Sequence, residues 1–214
     1  VNKKTLVASA LGIATVSSGI NPNESVEVLQ SLLKARSQLI LRSNFHCVFL
    51  VTPPSSSIEP PWSNLATVVA NIYSDYEEIK TVADFLGVKE NEMQHFARRP
   101  PKFMCSEPRS RFYRRFFTAI LLYRLVQEVP LQKVGQSLDI KRGRLQALQS
   151  DAASFCYMVI AFCKKLNWNY LATALTPYAS RLSFGAQEEL MPLVRIGPEM
   201  PAFRARAFMR NGIR

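Results

Sequence analysis

The residues best placed to do chemistry in this chain are basic. Lys141, Arg142 and Arg144 stand together. Seven more cations lie between His95 and Arg115 (Arg98, Arg99, Lys102, Arg109, Arg111, Arg114, Arg115) against one acid, Glu107. Arg195, Arg204, Arg206, Arg210 and Arg214 form a third group, opposed by Glu199. Guanidinium forks and ammonium groups bind phosphate, through paired hydrogen bonds or as point charges. A net charge of +11 points the same way, to a polyanion: nucleic acid first, acidic lipid second. The plainer alternative is a solvated surface that keeps the chain soluble. Clustering favours the nucleic-acid reading.

Other chemistry finds no residues to carry it. No GxxxxGK[ST] phosphate loop and no GxGxxG fingerprint occurs. The acidic pairs Glu77-Glu78 and Glu188-Glu189 are adjacent, and neighbours on a helix point apart, which makes them poor acid/base partners. His46 and His95 are read as structural. The four cysteines, Cys47, Cys105, Cys156 and Cys163, make no CxxC pair, and with only two histidines no zinc site is expected. Cys156 and Cys163, seven apart on one helix face within an apolar run, read as reduced core residues of an intracellular protein. No apolar run reaches membrane-spanning length. The start at Val1, with no clean cleavage-site pattern after it, reads as a cut inside a longer chain.

These groups must be positioned by helices. Residues 5–17 (TLVASALGIATVS) read as a short hairpin or wing, and 47–51 as a second possible strand. Asn21, Pro22 and Glu24 open an amphipathic helix over 22–40. Prolines 53, 54, 60 and 61 mark a loop, followed by helical spacing from Trp62 to Tyr76. Residues 82–96 (VADFLGVKENEMQHF) and 134–148 (VGQSLDIKRGRLQAL) then match at constant offset: Val82 with Val134, Leu86 with Leu138, Val88 with Ile140, Lys89 with Lys141, Gln94 with Gln146. Each predicts helix, tight turn and helix. The first copy opens its second helix with Glu90 and Glu92, the second with Arg142 and Arg144, so only the second suits phosphate. Apolar spacing predicts further helices over 111–128, 142–166, 170–182, 186–195 and 202–210. The polar side of the 142–166 helix holds Arg142, Gln146, Gln149, Ser150 and Ala153, with Ser154 at its edge. Such a face can contact a sliding strand without reading sequence.

Several phrases resemble the helicase portion of the polymerase theta family, within the Ski2-like superfamily-2 helicases. They are LGIATVSSG (11–19), HCVFLVTPP (46–54), FFT (116–118), EVPL (128–131), Arg142-Gly143 with QALQ (146–149), and RLSFGAQEEL (181–190). The resemblance implies a mainly α chain in three parts: the tail of a winged-helix domain at 1–19, a helical-bundle ratchet-type domain at 20–196, and the truncated start of a helix-hairpin-helix element at 197–214. It implies a nuclear, single-stranded-DNA-contacting region of an ATP-dependent DNA-repair helicase, with RecA-like motor domains upstream. ATP and Mg²⁺ would bind there, and no cofactor or metal in this chain. Arg142, Arg144, Gln146, Gln149, Ser150, Ala153, Ser154, Arg204, Arg206 and Arg210 are the expected DNA contacts. Two places depart from the family pattern. Gly197-Pro198-Glu199-Met200-Pro201 lacks a second glycine, and Ala153-Ser154 stands where archaeal relatives place a stacking aromatic. The competing expectation is a helical protein-interaction scaffold with basic docking faces.

Overall fold

Every regular element among the described residues is helical, as the 3.6-residue apolar spacing requires. The computed structural model describes residues 7–38, 43–102 and 107–212. In chain order it has α1 (Ala10–Ser18), α2 (Pro22–Gln38), α3 (Asn44–Leu50), a 3-10 turn (Trp62–Asn64), α4 (Leu65–Asp75), α5 (Glu77–Leu86), α6 (Glu90–Arg98) and α7 (Pro108–Val126). It continues through α8 (Leu131–Gln136), α9 (Arg142–Lys165), α10 (Asn169–Phe184), a second 3-10 turn (Glu188–Leu190), α11 (Met191–Val194) and α12 (Ala202–Arg210). Residues 5 and 6 of the expected wing, the end of the 22–40 helix, Cys105 and Arg214 lie outside the described residues.

The expected strands are helices instead. Over 10–18, the Ser9 hydroxyl accepts a hydrogen bond from Gly12 N at 3.1 Å, and Gly19 closes the helix at φ 76. Over 44–50, Ser43 caps the start by accepting from His46 N. The far end of α3 is held by a fully buried side chain from α7. Arg115 Nε donates to Thr52 O at 3.0 Å, and its Nη2 donates to Phe49 O and Leu50 O, both at 3.3 Å. Leu50 O is one of the carbonyls that a helix end leaves without an intrahelical partner, and Phe49 O also accepts from Thr52 N at 3.2 Å. Caps and tertiary contacts therefore override the β-branched composition that suggested strands.

The core is organised on two long helices. α7 is buried around nearly its whole circumference from Tyr113 to Val126. It carries Phe116, Phe117, Ile120 and Leu121 into the main cluster. α9 packs along α10 on one side and receives α1 on another. A second, smaller apolar cluster forms at the C-terminal end from Ala186, Leu190, Met191, Leu193, Val194 and Ala205.

The two copies seen in the sequence are two matched hairpins, α5–α6 and α8–α9. Their turns sit at Gly87 (φ 82) and Asp139 (φ 53), both left-handed. Val88 N donates to Ala83 O at 2.9 Å, and at the matching place Ile140 N donates to Gly135 O at 2.9 Å. Met93 N to Lys89 O (3.2 Å) repeats as Leu145 N to Lys141 O (3.3 Å). Val82 and Val134 are both fully buried. A Cβ on Gly135 would stand 2.5 Å from Ile140 O, so the second turn closes more tightly than the first, where Ala83 holds the corresponding place.

Candidate nucleic-acid interface

The second hairpin delivers its cations to one spot. Arg142 and Arg144 lie in the first turn of α9 and are exposed. No side chain caps that helix start, so its first N–H groups and the positive end of the helix dipole face the same region.

From there an exposed strip follows α9: Gln146, Ala147, Ser150, Ser154 and Tyr157, with one acid, Asp151, at its edge, ending at Lys164 and Lys165. The helix has 24 residues, about 36 Å at 1.5 Å per residue. Two residues expected on this face are not on it. Gln149 and Ala153 are buried, because α9 is covered on more than one side and its free strip is narrower than half a helix. Gln149 Nε2 donates to Leu182 O at 3.3 Å. A Cβ at Gly185 would come within 2.6 Å of that nitrogen, so the left-handed glycine ending α10 makes the room it occupies. Tyr157, 62% exposed, is the aromatic the sequence reading missed. The signal was present: Ser150, Ser154 and Tyr157 follow at four and then three residues, one line on a helix. Tyr170, at the start of α10, is also exposed.

Other expected contacts divide in two. Arg204 is exposed and donates to Glu199 O at 2.8 Å; Arg210 is exposed. Arg206 is not a free phosphate ligand. Its Nε and Nη2 bond both oxygens of Glu128 at 2.7 and 2.6 Å, and its Nη1 pairs with Glu189. The bonds to Glu128 push its basicity above that of an ordinary guanidinium. This bidentate clamp ties α12 to the turn after α7.

An open cleft of about 830 Å³ lies where α12 meets the second hairpin and the end of α10. It brings together four of the expected residues, Arg142, Gln149, Arg206 and Arg210, and adds Phe184 and Phe203. Arg144, Gln146, Ser150, Ala153, Ser154 and Arg204 do not line it.

The cluster between His95 and Arg115 is partly consumed inside the fold. Arg109 pairs with Glu92 and donates to Gly87 O. Arg114 Nη2 donates to Glu59 Oε1 at 3.2 Å, and its guanidinium lies over the Trp62 ring. Arg115, besides closing α3, pairs with Glu27 at 3.4 Å; burial pulls its basicity down and Glu27 restores part of it. Arg98, Arg99, Lys102 and Arg111 remain exposed. The charge cluster thus overstated the outward positive surface, because spacing does not show which cations meet carbonyls and carboxylates.

Burial pushes the thiols of Cys47, Cys156 and Cys163 up to about 11, 12 and 12, which leaves them un-ionised at neutral pH. Among the described residues no His, Cys, Asp or Glu group could hold a metal, and no helix is long and apolar enough to cross a membrane.

Comparison with known proteins adds family likeness to this geometry. The family described as "DNA_pol_Q helicase like region helical domain" matches residues 22–182. The chain is 33% identical to DNA polymerase theta of Caenorhabditis elegans over 99% of its length, covering 13% of that protein. It is 30% identical to DNA polymerase theta of Mus musculus, covering 94% of the chain and 8% of the relative. Against the human protein named helicase POLQ-like, identity is 28% over 78% of the chain and 15% of the relative. The chain therefore spans a small fraction of the length of these curated relatives.

Proposed function

The chain belongs to the family of helical domains from the polymerase-theta-type helicase region, and from that premise we propose that it contacts single-stranded DNA as a non-catalytic part of an ATP-dependent DNA-repair helicase. The observation that carries the reading is the exposed strip of α9. It begins with Arg142 and Arg144, ends with Lys164 and Lys165, and between them offers Gln146, Ser150, Ser154 and the largely exposed ring of Tyr157, with Asp151 the single acid at its edge. Cations fix the phosphate backbone, and a tyrosine face stacks on any base, so the strip holds a strand without reading it. The small serines leave a low path along which the strand can advance. ATP hydrolysis and Mg²⁺ belong to RecA-like motor domains elsewhere in the parent protein, and its repair work places it in the nucleus.

A protein-docking role has its own support in α1. There Val16 is 81% exposed and Ile13 is also exposed, on the side away from the contact with α9. That surface suits a neighbouring domain and does not compete with the strip.

The test is anisotropy of labelled oligothymidylate with the chain across a salt series. Arg142→Glu with Arg144→Glu should weaken binding and flatten the log–log salt slope by about two contacts, and Tyr157→Ala should cost about tenfold. Lys89→Glu, in the first hairpin at the place that matches Lys141, should change little. A larger loss from Lys89→Glu, or unchanged binding in the Arg142/Arg144 and Tyr157 variants, rejects the strip.

A further inference from the structure

Resting on the single-stranded-DNA reading above, we infer that the cleft between the second hairpin, the end of α10 and α12 holds one unstacked nucleobase taken out of the passing strand. Its phosphates lie at Arg142 and Arg210.

The layout of charge decides what enters. The acids of the cleft, Glu128 and Glu189, are both engaged by Arg206. The interior therefore keeps one negative charge in excess and offers a phosphate no spare cation. Arg142 and Arg210 are exposed and have no ion pair among the described residues. Arg142 is also at the uncapped start of α9. Phosphate is drawn to those cations, and a neutral ring fits the space they border.

The walls suit such a ring. Phe203 is 72% exposed and Phe184 44%, and both line the cleft. Two large aromatics left open beside a cleft need an explanation that surface cations do not. Gln149 is held in place through Leu182 O, and Gln187 Nε2 is held by Gln127 Oε1 at 2.9 Å. These amides are fixed groups at the wall, of the kind that meet base edges. The volume, about 830 Å³, lies within the range of small-molecule sites, so it accommodates a nucleotide with solvent to spare. Tyr157 lies on the outward strip and does not line this cleft, so the two aromatic positions can engage different nucleotides of one strand.

The experiment compares two labelled oligothymidylates on the 214-residue chain, one complete and one with abasic linkers at several central positions, with wild type, Phe203→Ala and Tyr157→Ala. Phe203 is so exposed that its truncation should leave the thermal midpoint unchanged, which circular dichroism checks. Wild type should prefer the complete strand. Phe203→Ala should lose about tenfold on it and little on the abasic strand, since stacking is the contact removed. A 5-iodouracil strand should photocrosslink within the peptide bearing Phe203. Equal losses on both strands, or crosslinks confined to Tyr157, overturn the cleft inference while leaving the strip intact. Failure of both strands to bind wild type at low salt overturns the single-strand reading itself, and the cleft inference with it.

Discussion

Replacing Arg206 by Met, and Glu128 by Gln, isolates the contact that docks the C-terminal end. Arg206 makes two bonds to Glu128, at 2.7 and 2.6 Å, with side chains only 22% and 15% exposed. Charge-assisted bonds contribute about 1.5–3 kcal/mol each, so the gross gain is a few kcal/mol. Fixing the arginine costs about 2 kcal/mol of rotamer freedom, and partial exposure screens the rest, leaving a net near 2 kcal/mol. Few other contacts hold this end: Ala205 is the one buried residue of α12, within the small C-terminal cluster. A loss near 2 kcal/mol multiplies local opening about thirtyfold. Amide hydrogen exchange reads this directly. In Arg206→Met the amides of 202–210 should exchange about thirtyfold faster, while those of α7 and α9 keep their protection. Glu128→Gln should do nearly as much, and the double variant little more than either. Unchanged exchange in α12, equal acceleration in α7, or additive single effects would refute the clamp.

Two further outcomes follow from buried groups. Arg115→Met, which removes the guanidinium from Phe49 O, Leu50 O and Thr52 O, leaving Phe49 O only Thr52 N, and Glu27 without its cation, should cost about 3–5 kcal/mol in urea unfolding; a cost below about 1 kcal/mol contradicts its role in closing α3. The thiols of Cys47, Cys156 and Cys163 are raised from 9.0 to about 11, 12 and 12, so the folded state keeps their protons longer than the unfolded one. Their contribution is complete below pH 9 and is lost as pH climbs towards 11–12, at up to about 1.4 kcal/mol per pH unit for each thiol. Tyr73 and Tyr178, also raised by burial, add to the fall. A urea midpoint that does not move between pH 8.5 and 10.5 contradicts this.

What was legible in the chain was periodicity and its repetition. The spacing of Leu145, Leu148, Ala152, Phe155, Val159 and Phe162 gave α9, and the constant-offset echo gave two hairpins whose turn hydrogen bonds coincide. What was not legible depends on contacts distant in sequence. Residues 10–18 look strand-like until α9 is there to bury Ala14. Gln149 looks like its exposed neighbours until α10 ends at a glycine beside it. Arg206 and Arg210 are alike as letters, and only the position of Glu128, 78 residues away, commits one and leaves the other open.

The paired hairpins carry the argument about function furthest, because fold is held constant while charge changes. In the first, Glu92 lies in the opening turn of α6, where a negative charge complements the helix dipole. Arg109 pairs with it, and Tyr113 Oη donates to it at 3.1 Å. Arg109 also donates to Gly87 O at the hairpin's own turn. That copy is packed: no side chain caps α6 either, but its two acids complement the dipole, and the charge of Glu92 is spent holding α6 against α7. In the second, Arg144 stands where Glu92 stood, and Arg142 where Glu90 stood. A cation at a helix start opposes the dipole by about 0.3–1 kcal/mol, and no side chain caps α9 to offset it. Stability alone would favour the acidic version at both places. The basic version becomes favourable when an anion bridges the two arginines and the free N–H groups of the first turn. The same hairpin thus serves the bundle once as a packed element and once as an exposed basic face, the one on which the proposed strand contact rests.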